Sequence, residues 1–171
     1  MAVPQLGDYA PFYEPYLVQT AAAKNITALV ELFSNGLTQR VLSIPAHKAG
    51  FAYQPNKWTV SEVLQHMIDA ERIFAYRLLR IARYDNTELP GFDEVAFAQQ
   101  SQANSRSFES LQKEWIAVRT STDCLLESLP EESLQQRTVV NGTSTTANAL
   151  AYILYGHALH HLAVLEQSYS L

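Results

Sequence analysis

The chain of 171 residues contains one cysteine, Cys124, so it has no intramolecular disulfide framework and no cysteine-based metal centre. Charged residues are only 17% of it, and 12 basic against 17 acidic side chains leave a net charge of −5. No Lys/Arg cluster is present, which argues against a nucleic-acid partner. There is no long uninterrupted apolar run. Arg, Glu, Gln or His breaks every candidate, so no membrane-spanning helix is expected. The start, MAVPQLGDYAPFYEPY, has neither a basic head nor an apolar core, so it does not read as a signal peptide, and the expected location is the cytoplasm. Strand signals are almost absent. What is abundant is apolar side chain, 47% of the residues, enough for a core without staples.

The periodicity predicts helices. Residues 1–20 carry Pro4, Pro11 and Pro15 among several aromatics and should form an N-terminal strap packed on the body rather than one long helix. A first long helix is expected over about Ala22 to Ser43, with Ile26, Leu29, Val30, Phe33, Leu37 and Val41 at helical spacing. Thr59-Val-Ser-Glu62 fits a capping box, with Trp58 as a candidate staple residue, and opens a second helix that runs to about Tyr84. A connection of about 20 residues follows, with a short helix near Asp93–Gln100. A third helix is expected over Ser105–Ser128, then an irregular stretch with a turn at Asn141-Gly142, then a fourth helix over Thr146–Gln167. The expectation is one domain over residues 1–171, an all-α four-helix bundle. The long connection between helices two and three can travel the length of the bundle and join two helices that point the same way.

On the fourth helix, Leu150, Ile153, Leu154, Val164 and Leu165 define an apolar face. His157 and His161 fall near its middle, about 40° apart and one turn from each other. Two imidazoles there are costly unless satisfied, and His-x-x-x-His places both within reach of one ion. A hydrogen-bonded core pair is the alternative. No Glu follows His157, so the zinc-protease pattern is absent. His66, on the flank of the second helix, can supply a third nitrogen. Three neutral imidazoles suit Zn²⁺, Ni²⁺ or Fe²⁺ and leave a coordination position open, as catalytic sites do. His47, in a loop, and His160, at the edge of its helix, read as bystanders.

Glu71 and Arg119 fall inside the apolar faces of helices two and three. Unpaired buried charges are expensive, so they are expected to face each other or to share polar partners near the metal. Glu71 is a candidate for acid–base or supporting work there, and a purely structural ion pair is the alternative. Asp69 and Cys124 fall on outer faces. Tyr76, Tyr152 and Tyr155 lie off the apolar centres and read as boundary residues.

Several segments resemble the DinB-like superfamily, which includes the YfiT-like metal-dependent hydrolases. Lys57-Trp-Thr-Val-Ser-Glu-Val-Leu-Gln-His66-Met-Ile-Asp-Ala-Glu71-Arg-Ile-Phe-Ala-Tyr-Arg77 is similar to its second helix. Leu89-Pro-Gly-Phe-Asp93 and Val118-Arg119 are similar to its middle section. Tyr152-Ile-Leu-Tyr-Gly-His157-Ala-Leu-His-His161-Leu162 is similar to its last helix. The resemblance implies an up-down-down-up bundle and a divalent metal held by His66, His157 and His161, with water or substrate completing the coordination. It also implies a small-molecule substrate, in some relatives a low-molecular-weight thiol such as bacillithiol, and frequent homodimers. Two functions follow as expectations: a metal-dependent hydrolase or thiol-S-transferase, and, as the alternative, a non-catalytic stress-response or small-ligand-binding protein that keeps the metal site.

Overall fold

The computed structural model describes residues 3–171. Its long helices are α2 (Ile26–Ser43), α3 (Val60–Ala82), α5 (Phe108–Ser128) and α6 (Ala147–Ser168), with shorter helices α1 (Glu14–Gln19) and α4 (Glu94–Gln100). Each long helix starts on a side-chain cap: Asn25, Thr59, Ser107 and Thr146 accept from backbone amides of the first turn. The expected capping box is present. The Thr59 hydroxyl accepts from the Glu62 amide, and the Glu62 carboxylate accepts from the Thr59 amide at 2.7 Å. Pro45 and Pro130 follow closely on the ends of α2 and α5.

Cross-helix contacts fix the directions. Gln65 meets Arg106, and Glu71 meets Arg119, so α3 and α5 run parallel. Ser34 bonds Asp123 while Gln112 donates to the Val41 carbonyl, so α2 and α5 are antiparallel. Tyr152 bonds the Ala23 carbonyl and Arg40 pairs with Glu166, so α2 and α6 are parallel. Trp58 meets Tyr169 and His66 meets His161, so α3 and α6 are antiparallel. The order is up-down-down-up, with the crossover between α3 and α5 carrying α4. A buried core centred on Leu29, Leu37, Leu64, Met67, Leu78, Leu111 and Trp115 fills the bundle.

One local expectation gains detail and two need correction. The prolines do prevent one long helix in the strap, but Pro11 and Pro15 both sit in first turns, where a missing amide costs nothing, so the strap contains a 3-10 turn and α1. The third helix begins at Phe108, because Ser107 rather than an earlier residue supplies the cap. The stretch before α6 is not irregular: β1 (Arg137–Val140) and β2 (Thr143–Thr146) form an antiparallel hairpin. Asn141 and Gly142 both have positive φ, 47° and 78°, as a tight two-residue hairpin turn requires. Leu89 of the crossover adds to its edge, donating to the Val139 carbonyl and accepting from the Asn141 amide, both at 2.9 Å. The approach is close: a Cβ on Gly91 would lie 2.4 Å from the Asn141 side-chain oxygen. The hairpin thereby pins the crossover along one end of the bundle.

Candidate metal centre

Antiparallel packing of α3 on α6 brings the three histidines together. His66 Nε2 lies 3.0 Å from His157 Nε2. One ring nitrogen from each of His66, His157 and His161 can be chosen so that all lie within 4.8 Å of one another. Ring centroids are 5.0, 4.7 and 4.4 Å apart around the triangle. Two nitrogens held about 2.0–2.1 Å from one ion would stand about 2.9–3.4 Å apart, so the 3.0 Å separation has the scale of a shared ligand shell.

The electrostatics suit a cation. Burial pushes His66 down to about 4 and His161 down to about 3, and burial, helped by the imidazole neighbours, holds His157 well below the ordinary histidine value. All three are therefore neutral at pH 7, the form in which imidazole offers a lone pair. His160 is not one of the converging three. It packs edge-on against His161 and beside Tyr16, with ring centroids 5.1 and 5.3 Å away. His47 is exposed, as expected.

Neighbouring aromatics orient the rings. Trp58 packs on His66 at 4.9 Å, so it serves the site more directly than the staple role its position suggested. Phe74 packs edge-on against His157 at 5.5 Å, and Tyr16 of the strap does so at 5.4 Å. That approach depends on Gly156, where a Cβ would lie 2.1 Å from the Tyr16 carbonyl oxygen. Gly156, the residue just before His157, is thus the seat of the strap.

The three histidines line a cavity of about 380 Å³. Its walls are largely aromatic, with Phe12, Tyr13, Tyr16, Trp58, Phe74 and Phe92, and its polar groups besides the histidines include Arg77, Glu94 and Asn141. Most of these wall residues went unnoticed in the sequence. A signal for part of the wall was present: His66, Ala70, Phe74 and Arg77 follow one another at helical spacing along a single stripe of α3.

Glu71 and Arg119 do face each other, at 2.7 Å and with 3% and 1% of their side chains exposed. Arg119 also donates to Asp123 at 2.5 Å and lies 4.3 Å over the Tyr155 ring, whose hydroxyl donates to Asp123 at 2.6 Å. Burial alone would weaken the guanidinium, but Glu71, Tyr155 and Asp123 hold it firmly protonated. Burial raises the Glu71 carboxyl, and Arg119 pulls it back. Neither member of the pair lines the cavity. Glu71 is engaged on the α5 side of α3, away from where acid–base work beside the histidines would place it. Tyr152 and Tyr155 are fully buried rather than boundary residues, because their hydroxyls find the Ala23 carbonyl and Asp123 inside the bundle. Asp69 is half-buried against Gln65 instead of fully solvated, and Cys124 is exposed.

A compact up-down-down-up bundle with three convergent histidines at one end of a groove defines the class of protein. The chain belongs to the DinB superfamily, which it matches over residues 30–165. It is 26% identical over 140 residues to a protein of Oceanobacillus iheyensis named, provisionally, as a metal-dependent hydrolase; the match covers 80% of this chain and 79% of that one. The fold is also that of YfiT from Bacillus subtilis, described as a probable metal-dependent hydrolase with an unusual four-helix bundle topology. There the TM-score is 0.67 at 16% identity, over 98% of this chain and 93% of the other. Among the described residues, no helix is long and apolar enough to cross a membrane.

Proposed function

We propose that the protein is a metal-dependent enzyme that acts on a small molecule, with a divalent ion held by His66, His157 and His161. The observation that carries this reading is the convergence of three neutral imidazoles, His157 buried and His66 and His161 largely so, on the wall of an aromatic cavity. The names of its relatives support it. A divalent ion in that position supplies Lewis acidity, making a water or a low-molecular-weight thiol nucleophilic near neutral pH, which serves hydrolysis or thiol-S-transfer. The chain's own part is separate from that chemistry. The three imidazoles stay unprotonated because they are buried, Trp58, Phe74 and Tyr16 fix their rings, and the aromatic wall limits the water that reaches the reacting end.

The test is elemental analysis of tag-free protein, followed by turnover of ester and amide substrates, and of thiol plus electrophile, with and without metal. One equivalent of Zn²⁺, Ni²⁺ or Fe²⁺ that is lost in His157→Ala, together with metal-dependent turnover, is the expected result. Stoichiometric metal without turnover of either kind would favour a binding protein instead. Absence of stoichiometric metal would refute the site.

A further inference from the structure

Arg77 is 4% exposed, yet it lines the cavity. Six other arginines each sit on a carboxylate. Arg77, more buried than all of these but Arg119, sits on none among the described residues. Its polar neighbours are neutral: it donates to the Pro90 carbonyl at 2.6 Å, and the Tyr13 hydroxyl is beside it. Its guanidinium lies 5.9 and 5.8 Å from the ring centres of Phe74 and Phe92. These contacts satisfy donors, and the two rings offset part of the charge, but among the described residues they supply no counter-ion. A buried charge without a counter-ion is among the most expensive groups a fold can keep. Glu94, also at the cavity wall, is exposed and forms no ion pair with it.

We propose that Arg77 is the receptor for a carboxylate on the small molecule that this cavity takes. The substrate class is then an amphiphilic monoanion: a carboxylate at the Arg77 end, an apolar or aromatic stem along Phe74, Tyr13 and Phe92, and the reacting group at the three histidines. His66 and Arg77 are eleven residues apart on one helix stripe, which separates their backbone positions by about 16 Å along the axis. A planar guanidinium fork matches a carboxylate. A dianionic phosphate would call for a second cation, and no other Lys or Arg lines the cavity. The proposal rests on the enzyme reading for the identity of the reacting end, and Arg77 can be tested apart from it.

The experiment compares 4-phenylbutyrate with its neutral amide, 4-phenylbutanamide. Binding is measured by calorimetry to full-length protein freed of metal by chelator dialysis at pH 7.5, so that neither probe can be held by an ion at the histidines. The acid is expected to bind at least tenfold more tightly than the amide, the scale of a charge-assisted hydrogen bond. Arg77→Gln should erase that preference, and Arg77→Lys should restore part of it. Equal affinities in the parent protein, no binding of the acid, or a preference that survives in a folded Arg77→Gln variant would each overturn the proposal. The parent comparison stands even if Arg77→Gln fails to fold. Parallel titrations with Zn²⁺, Ni²⁺ and Fe²⁺ separate the two readings: failure to take up any of the three refutes the metal enzyme and leaves the acid-over-amide result standing.

Discussion

Removing Glu71 is the sharpest test of whether the buried charges are architecture or chemistry. In Glu71→Ala, Arg119 stays 1% exposed and loses its 2.7 Å partner. Breaking a buried pair from one side costs about 3–5 kcal/mol. Asp123 still accepts from the same guanidinium at 2.5 Å, and the Tyr155 ring still covers it, so the lower end, about 3 kcal/mol, is expected. For a chain of this size that corresponds to a fall in Tm of about 6–12 °C. In the double variant Glu71→Met/Arg119→Met no guanidinium remains to be stranded, and Asp123 keeps the hydroxyls of Ser34 and Tyr155. The double variant should therefore be more stable than Glu71→Ala alone. Urea melts of the parent, Glu71→Met, Arg119→Met and their double variant give the coupling directly, and zinc stoichiometry is measured alongside. Metal binding should remain at one equivalent in every folded variant, because neither residue lines the cavity. A Glu71→Gln protein that melts like the parent but loses metal or turnover would refute the structural assignment and return Glu71 to the chemistry.

Other perturbations follow from the same geometry. Metal-free protein should lose stability as pH falls from 7.5 to 5.5. The unfolded chain takes up protons below the ordinary histidine pKa of about 6.5, whereas the folded triad, with His66 at about 4 and His161 at about 3, refuses them. The loss is about 1.4 kcal/mol for each imidazole kept neutral, about 4 kcal/mol for three. Urea melts should show it, and His66→Phe should remove about a third; no difference between His66→Phe and parent would refute the cause. Zinc at a hundredfold excess over its dissociation constant should add about 2.7 kcal/mol and raise Tm by about 5–11 °C, and a Tm unchanged in the His157→Ala variant would confirm the route. Gly156→Ala should destabilise despite alanine's better helix propensity, because its Cβ would meet the Tyr16 carbonyl oxygen at 2.1 Å. Limited proteolysis should then cut the strap faster, and an unchanged rate would refute the close approach.

Much of this was legible in the sequence for identifiable reasons. The bundle is written in long, capped, 3.6-periodic segments, and the Thr59 box and the Pro45 and Pro130 stops are local signals that act through backbone geometry alone. Two histidines one turn apart had to share a face, and two charges inside apolar stripes had to find each other or be unaffordable. The hairpin was missed because each strand is four residues long. Asn141-Gly142 between β-branched runs was nevertheless a hairpin signal. Tyr152 and Tyr155 were misplaced because a helical wheel ranks residues by hydropathy and cannot see which carbonyl or carboxylate a hydroxyl will reach. The unpaired state of Arg77 was beyond sequence reading altogether, since it depends on what the crossover leaves opposite it.

The seating of Tyr16 on Gly156 also bears on the order in which the molecule assembles. The strap is synthesised before its dock, a helix some 140 residues further along the chain. Contacts of such separation form late in folding. His66 therefore waits with its neighbours exposed until α6 arrives, and the same event that delivers His157 and His161 also lets the strap close over them. On the proposed function, an ion held by all three imidazoles would then be found only on a bundle in which α3 and α6 have docked, so metal uptake would report completed folding.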